Sequence, residues 1–272
     1  MSSSKSTPTG TLTIPGLFLV TGEHGVGKTS FALECGASAD RICFIDDDLK
    51  GQSTARQLQL GGAGFVYQDF VELTRGKRLV EIHEAGLELL KSIPPDKFDA
   101  LVWDTWTRFG STFKPYVTAH PSLFRKKEEW SPMGKFKGPQ EWNESKFYEA
   151  EVLWELLQKV PTVILVSHLG DQYLDGHATG KQMPAVSKAI TRICNGRIWL
   201  RRNPSGRPVP IGLFLKQMDT KVMVAGKGIR TVCVTPPKIM PRAEDESLWD
   251  TIRWYYENPI GSRAMTLSLI HI

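Results

Sequence analysis

An α/β fold is what this sequence predicts: a mostly parallel central sheet flanked by helices, with antiparallel strands added at its C-terminal edge. Three observations carry the prediction. A glycine-rich run with a complete phosphate-loop pattern joins an apolar strand to a helix. Strand-like and helix-like patterns then alternate as far as Ser167, as they do when crossover helices join parallel strands. Beyond that point short strands succeed one another across turns, the habit of antiparallel structure.

The chain has 272 residues, 41% hydrophobic and 23% charged, a length and balance suited to one large α/β domain. Gly16-Leu17-Phe18-Leu19-Val20 is apolar throughout, like a strand buried on both faces, and Thr29-Ser30-Phe31-Ala32-Leu33-Glu34 reads as the helix after it. A second strand runs from Arg41 to Asp46, and Phe65-Val66-Tyr67 is a short third. Leu79, Val80, Ile82, Leu87, Leu89 and Leu90 recur at helical spacing between Lys77 and Leu90, until Pro94-Pro95 stops the helix. Phe98 to Asp104 is the next strand. Trp142 to Val160 is a long helix with Phe147, Val152, Leu153, Leu156 and Leu157 on its buried side, and Pro161 to His168 returns as a buried strand. Asp171 to Lys181 reads as a polar loop and Pro184 to Ile193 as a short helix. Arg197 to Arg201, Ile211 to Lys216, Lys221 to Val224 and Ile229 to Val234 read as strands added to the sheet edge.

Several classes are excluded. No apolar run approaches the ~20 residues that span a bilayer, and the first residues lack the apolar core of a signal peptide. They read as a disordered leader over residues 1–11 of a cytoplasmic protein. Cys35, Cys43, Cys194 and Cys233 are scattered without zinc-site or disulfide-framework spacing and read as buried thiols. A net charge of +5 is compatible with a polyanionic partner and does not require one.

The chemistry centres on Gly22-Glu23-His24-Gly25-Val26-Gly27-Lys28-Thr29, which fits G-x-x-x-x-G-K-[ST] without mismatch. Gly25 and Gly27 can turn successive backbone N–H groups inward around a phosphate, with Ser30 in the first turn of the following helix. Lys28 would reach the β- and γ-phosphates of ATP, and Thr29 would ligate Mg²⁺. His24 sits at a variable position of the loop and has no role of its own. Leu101-Val102-Trp103-Asp104 is an apolar strand ending in a carboxylate, the form of a Walker B element, which assigns Asp104 to the metal.

With these stations in order, the chain resembles the RecA-like P-loop ATPases, particularly small phage-encoded recombination ATPases, over roughly residues 15 to 235. The resemblance implies an Mg²⁺-dependent ATPase that acts on single-stranded DNA and assembles as a homo-oligomeric ring or filament. It makes Asp48, in Ile45-Asp46-Asp47-Asp48, the carboxylate that polarises the attacking water, where the family usually has glutamate. Ser167-His168 falls at the place of a γ-phosphate sensor, and Lys216 in Phe214-Leu215-Lys216 at that of a basic residue presented to a neighbouring subunit's ATP. Lys188-Ala189-Ile190 through Arg202 resembles the helix and strand after the family's second DNA-binding loop.

Each candidate also has a plainer reading. Three adjacent aspartates would be costly to bury, because like charges repel, so the triplet is either a solvated turn or, at the carboxyl end of a strand, a source of the general base. His168 is either a satisfied histidine at the core's mouth or a ligand group. Between Ser122 and Trp142, cations alternate with aromatics, among them Lys126, Lys127 and Trp130; bases could stack there while lysines meet phosphates, or the aromatics could pack on the body. Lys181, Arg192, Arg201 and Arg202 belong to a one-sided cation run that suits a phosphate backbone or a solvated face. A nucleotide-gated DNA-binding switch with little turnover, and a kinase or clock-type signalling ATPase that ignores DNA, are the rival functions.

The expected division is an ATPase domain over 12–240, then a C-terminal helix and truncated extension over 241–266. The last six residues, Leu267-Ser268-Leu269-Ile270-His271-Ile272, read as a non-native tail, since a transposon end used in library preparation encodes the same six.

Overall fold

Four strands whose side chains are buried on both faces of one sheet organise the molecule. In the computed structural model, residues 14–35, 37, 39–48, 64–124, 140–174, 177–202, 208–215, 218–224, 228–234 and 249–250 are described. The strands in chain order are β1 (Gly16–Gly22), β2 (Ile42–Asp46), β3 (Val66–Asp69), β4 (Ala100–Asp104), β5 (Thr162–Ser167), β6 (Leu169–Leu174), β7 (His177–Pro184), β8 (Gly196–Arg202), β9 (Pro208–Leu215), β10 (Met218–Val224) and β11 (Gly228–Val234). The helices are α1 (Lys28–Leu33), α2 (Phe70–Leu73), α3 (Leu79–Ser92), α4 (Trp106–Gly110), α5 (Phe113–Ala119), α6 (Gln140–Lys159) and α7 (Lys188–Ile193). Seven strands form the main sheet in the order β3-β2-β4-β5-β1-β8-β9. All neighbours are parallel except the last pair, β8 and β9.

The alternation of side chains along each strand divides the core in two. Leu17, Leu19, Leu101, Trp103, Val163 and Leu165 point to one face and meet α2 to α7. Phe18, Val20, Val102, Ile164, Val166 and Ile198 point to the other, beneath α1. Trp249 joins that second core: it stacks on Phe31, meets Phe18 edge-on, and donates its indole N–H to the Phe31 carbonyl at 2.8 Å. Cys35, Cys43 and Cys194 are buried thiols.

The α/β class and the mostly parallel sheet agree with expectation; four details differ. Val152, Leu153 and Leu156 of α6 are buried as expected, but Phe147 is 67% exposed and the stripe continues through Ser145 and Glu149. The polar stretch after His168 is no loop but a hairpin, β6 paired antiparallel with β7. Of the four strands expected at the edge, β8 joins β1 in parallel and β9 pairs antiparallel with β8, while β10 and β11 pair with each other in a separate two-stranded sheet. The segment after β4, which carries no clear periodicity, forms the short helices α4 and α5. Among the described residues no helix is long and apolar enough to cross a membrane.

Candidate functional site

Parallel pairing places Gly22, Asp46, Asp104 and Ser167 at one edge of the sheet. The registers Asp46↔Asp104 and Thr21↔Ser167 set the ends of β2, β4, β1 and β5 level, and the carboxyl edge of such a sheet is where ligands bind. An open cleft of about 680 Å³ lies there, lined by Gly22, Glu23 and His24 on one side and by Asp47, Asp48, Arg108 and His168 among the others.

The loop from Glu23 to Gly27 turns on Gly25 (φ 69°) and Gly27 (φ 87°), left-handed conformations that a side chain resists. Glu23, His24 and Gly25 are exposed, Val26 is buried in the core below, and Ser30 is half-buried in α1. Lys28 folds back beneath the loop, its Nζ donating to the carbonyls of Gly22 at 3.1 Å and Glu23 at 2.8 Å. Burial pulls the Lys28 ammonium below the usual lysine range, against Asp104 and Asp48, which favour its charge.

Asp104 closes the floor of the site. Its Oδ2 accepts a short hydrogen bond from the Thr29 hydroxyl, although the two residues lie 75 apart in sequence. Burial pushes the Asp104 carboxyl up to about 7, helped by Asp48 and Asp46 and opposed by Thr29 and Lys28. A hydroxyl touching a carboxylate is a hard-oxygen donor pair. Among the described residues no group of three or more His, Cys, Asp and Glu could cage a metal. The Thr29 hydroxyl and Asp104 carboxylate suit Mg²⁺, which takes one or two protein oxygens and keeps its remaining positions for water and phosphate. The peptide after Asp104 is cis.

The aspartate triplet is not a solvated turn. Asp46 and Asp47 are 1% and 2% exposed, and only Asp48 is half-buried at the cleft. Tyr67 donates its hydroxyl to Asp46 Oδ2 at 3.0 Å, and the Asp48 backbone N–H donates to Asp46 Oδ1 at 3.1 Å. Burial raises the Asp46 carboxyl, despite these two bonds. Asp47 receives a short ion pair from Arg108, which also donates to the Thr74 hydroxyl at 2.8 Å. Burial still lifts the Asp47 carboxyl to about 6, with Arg108 and the Trp103 indole opposing it. Asp47 Oδ2 and Trp103 Nε1 are nonetheless both buried without a hydrogen bond of ordinary geometry.

At the end of β5, Ser167 donates to the His168 carbonyl at 2.8 Å, and the His168 N–H donates to Thr107 Oγ1 at 3.1 Å. His168 thus lies at the cleft, at the foot of the β6–β7 hairpin. Lys181 on that hairpin is exposed, as are Arg192 and Arg201, and Gln182 beside Lys181 lines the cleft. Arg202 ends β8, and its side chain lies outside the described residues, as do Lys126, Lys127, Trp130 and Lys216. The sequence reading missed Arg108 and Thr107, which carry no motif. The one available signal is their place just after β4.

No family model matches the chain, and no curated protein matches it. Among solved structures it is similar to the KaiC-like protein PH0186 from the hyperthermophilic archaeon Pyrococcus horikoshii OT3, at 15% identity and a TM-score of 0.40, over 81% of this chain and 83% of that one.

Proposed function

We propose that this chain is an ATP-binding, Mg²⁺-dependent ATPase of the RecA-like class that couples hydrolysis to single-stranded DNA. The observation that carries the ATPase reading is the Thr29 hydroxyl on the Asp104 carboxylate, beside Lys28 beneath a left-handed glycine loop. Separate stretches of sequence supply these groups, and a chance glycine turn gives no reason for them to converge. When bound, Mg²⁺ supplies positive charge to the transferring phosphoryl group. Lys28 leaves the loop carbonyls for the β- and γ-phosphates, Thr29 and Asp104 hold the metal, and Asp48 orients the water and takes its proton. His168, between the cleft and the hairpin, reports the γ-phosphate to β6 and β7. The DNA reading draws on the exposed cations Lys181, Arg192 and Arg201 and on the hairpin's contact with the cleft through Gln182. Lys216 of a neighbouring subunit completes the site in a homo-oligomer. An aspartate at position 48, shorter than glutamate, favours the rival switch with little turnover.

Nucleotide binding and phosphate release by the parent and Lys28→Ala, with and without single-stranded DNA, test this. The variant should fold, bind ATP weakly and release no phosphate. DNA should stimulate the parent; unchanged trace turnover supports the switch. Parental turnover in folded Lys28→Ala overturns the ATPase reading.

A further inference from the structure

Asp48 sits on a turn held from several directions. The Asp47 backbone N–H donates to the Asp104 carbonyl at 2.6 Å, tying the turn to the end of the Walker B strand. Asp46 ties it to Tyr67 on β3, as described above. The third tie is the Arg108 guanidinium, which forks between Asp47 after β2 and Thr74 at the end of α2. Thr74 donates its own hydroxyl proton to the Phe70 carbonyl at 2.6 Å, so its oxygen is free to accept from Arg108. One planar group thereby fixes three chain segments that are remote in sequence.

Stability alone does not account for this pair. The Asp47 side chain is 0% exposed and one of its oxygens has no hydrogen bond of ordinary geometry. Buried ion pairs can commonly be replaced by apolar side chains at no cost. Arg108 also borders the cleft, its side chain 25% exposed.

We infer that Arg108 is a positioning residue of hydrolysis, which through Asp47 fixes the Asp48 carboxylate where the attacking water must stand. This deepens the ATPase reading and rests on it. Arg108 itself touches no reacting atom; its effect is on the geometry of the neighbouring base, where small displacements cost large factors in rate. The fork is the essential property. A lysine at 108 keeps the charge beside Asp47 but lacks the rigid planar fork that spans Asp47 and Thr74 together.

Arg108→Ala would leave a buried carboxylate unpaired and endanger the fold, so the test uses Arg108→Lys, Asp47→Asn and the double variant, beside the parent. Melting temperature, KM for MgATP and kcat are measured for each. Both single variants should melt near the parent and keep KM within about threefold while kcat falls about tenfold or more. The double variant should fall no further than the worse single, because the two residues act as one unit. Parental kcat in either single variant overturns the inference, as does a fall in kcat accompanied by a rise in KM of about tenfold or a clear drop in melting temperature. A parent with no Mg²⁺-dependent turnover overturns the hydrolysis reading and this inference together, which separates the two failures.

Discussion

Replacing His83 should remove a specific part of the protein's acid sensitivity. His83 lies on α3, 0% exposed, among the rings of Phe109, Phe113, Tyr116 and Tyr148. Its Nδ1 is 2.8 Å from Thr112 Oγ1, and that hydroxyl donates to the Phe109 carbonyl at 2.6 Å. With the hydroxyl proton committed, Nδ1 must be the donor, and Nε2 carries a lone pair. Nε2 is buried without a partner, so a proton there would create a charge no acceptor could meet. Burial, aided by His120, lowers the His83 pKa to about 3. The unfolded chain protonates this histidine near pH ~6.5. His83 therefore costs nothing above that pH, and stability is lost as pH falls from there toward the folded value near 3. Between about pH 7 and pH 5 the loss is roughly 2 kcal/mol, at ~1.4 kcal/mol per pH unit over most of the interval. Asp47, Asp104 and Glu149, raised to about 6, 7 and 7, act in the opposite sense, since the folded state holds their protons more tightly. The comparison must therefore be a double difference. Urea unfolding of the parent and His83→Leu at the two pH values supplies it, and the packing loss of the variant cancels. The variant should gain about 2 kcal/mol relative to the parent on acidification. The same change in both proteins would refute the buried neutral tautomer.

Gly86→Ala on α3 should destabilise the fold. The added Cβ would stand 2.1 Å from the Phe109 ring, and overpacking of about 1–3 kcal/mol should outweigh the ~1 kcal/mol gained in helix propensity; denaturant unfolding reads the difference, and a more stable variant would sink it. For DNA, neutralising Lys181 and Arg201 together should weaken single-strand binding at every sequence and flatten its salt dependence, because phosphate contacts release counterions. Parental binding and slope across a salt series would place the contact elsewhere.

What the sequence reveals is local chemistry and apolar pattern. The strands β1, β2, β4 and β5 are legible because both faces are buried and their residues are almost all apolar. The phosphate loop is legible because its demands on Gly25, Gly27, Lys28 and Thr29 are met within eight consecutive residues. The first half of the α6 stripe is not legible because its buried positions, Ser145 and Glu149, are polar; Glu149 is held by the Trp106 indole at 2.9 Å, and without that contact Phe147 looks like the better core residue. The β6–β7 hairpin shows no period of two because every residue from His177 to Gln182 on β7 is exposed, so no buried face marks it. Burial of Asp46 and Asp47 depends on Tyr67 and Arg108, 21 and 61 residues away, and no local pattern announces either.

Phosphate release from ATP by the parent and Asp104→Asn, as Mg²⁺ is titrated from zero, tests the central claim most directly. The parent should need Mg²⁺ for turnover. The variant keeps the loop and Lys28 but loses the carboxylate beside Thr29, so it should retain much of its nucleotide affinity and lose Mg²⁺-dependent turnover. Equal activity of the parent with and without Mg²⁺, or parental turnover in Asp104→Asn, would contradict the account.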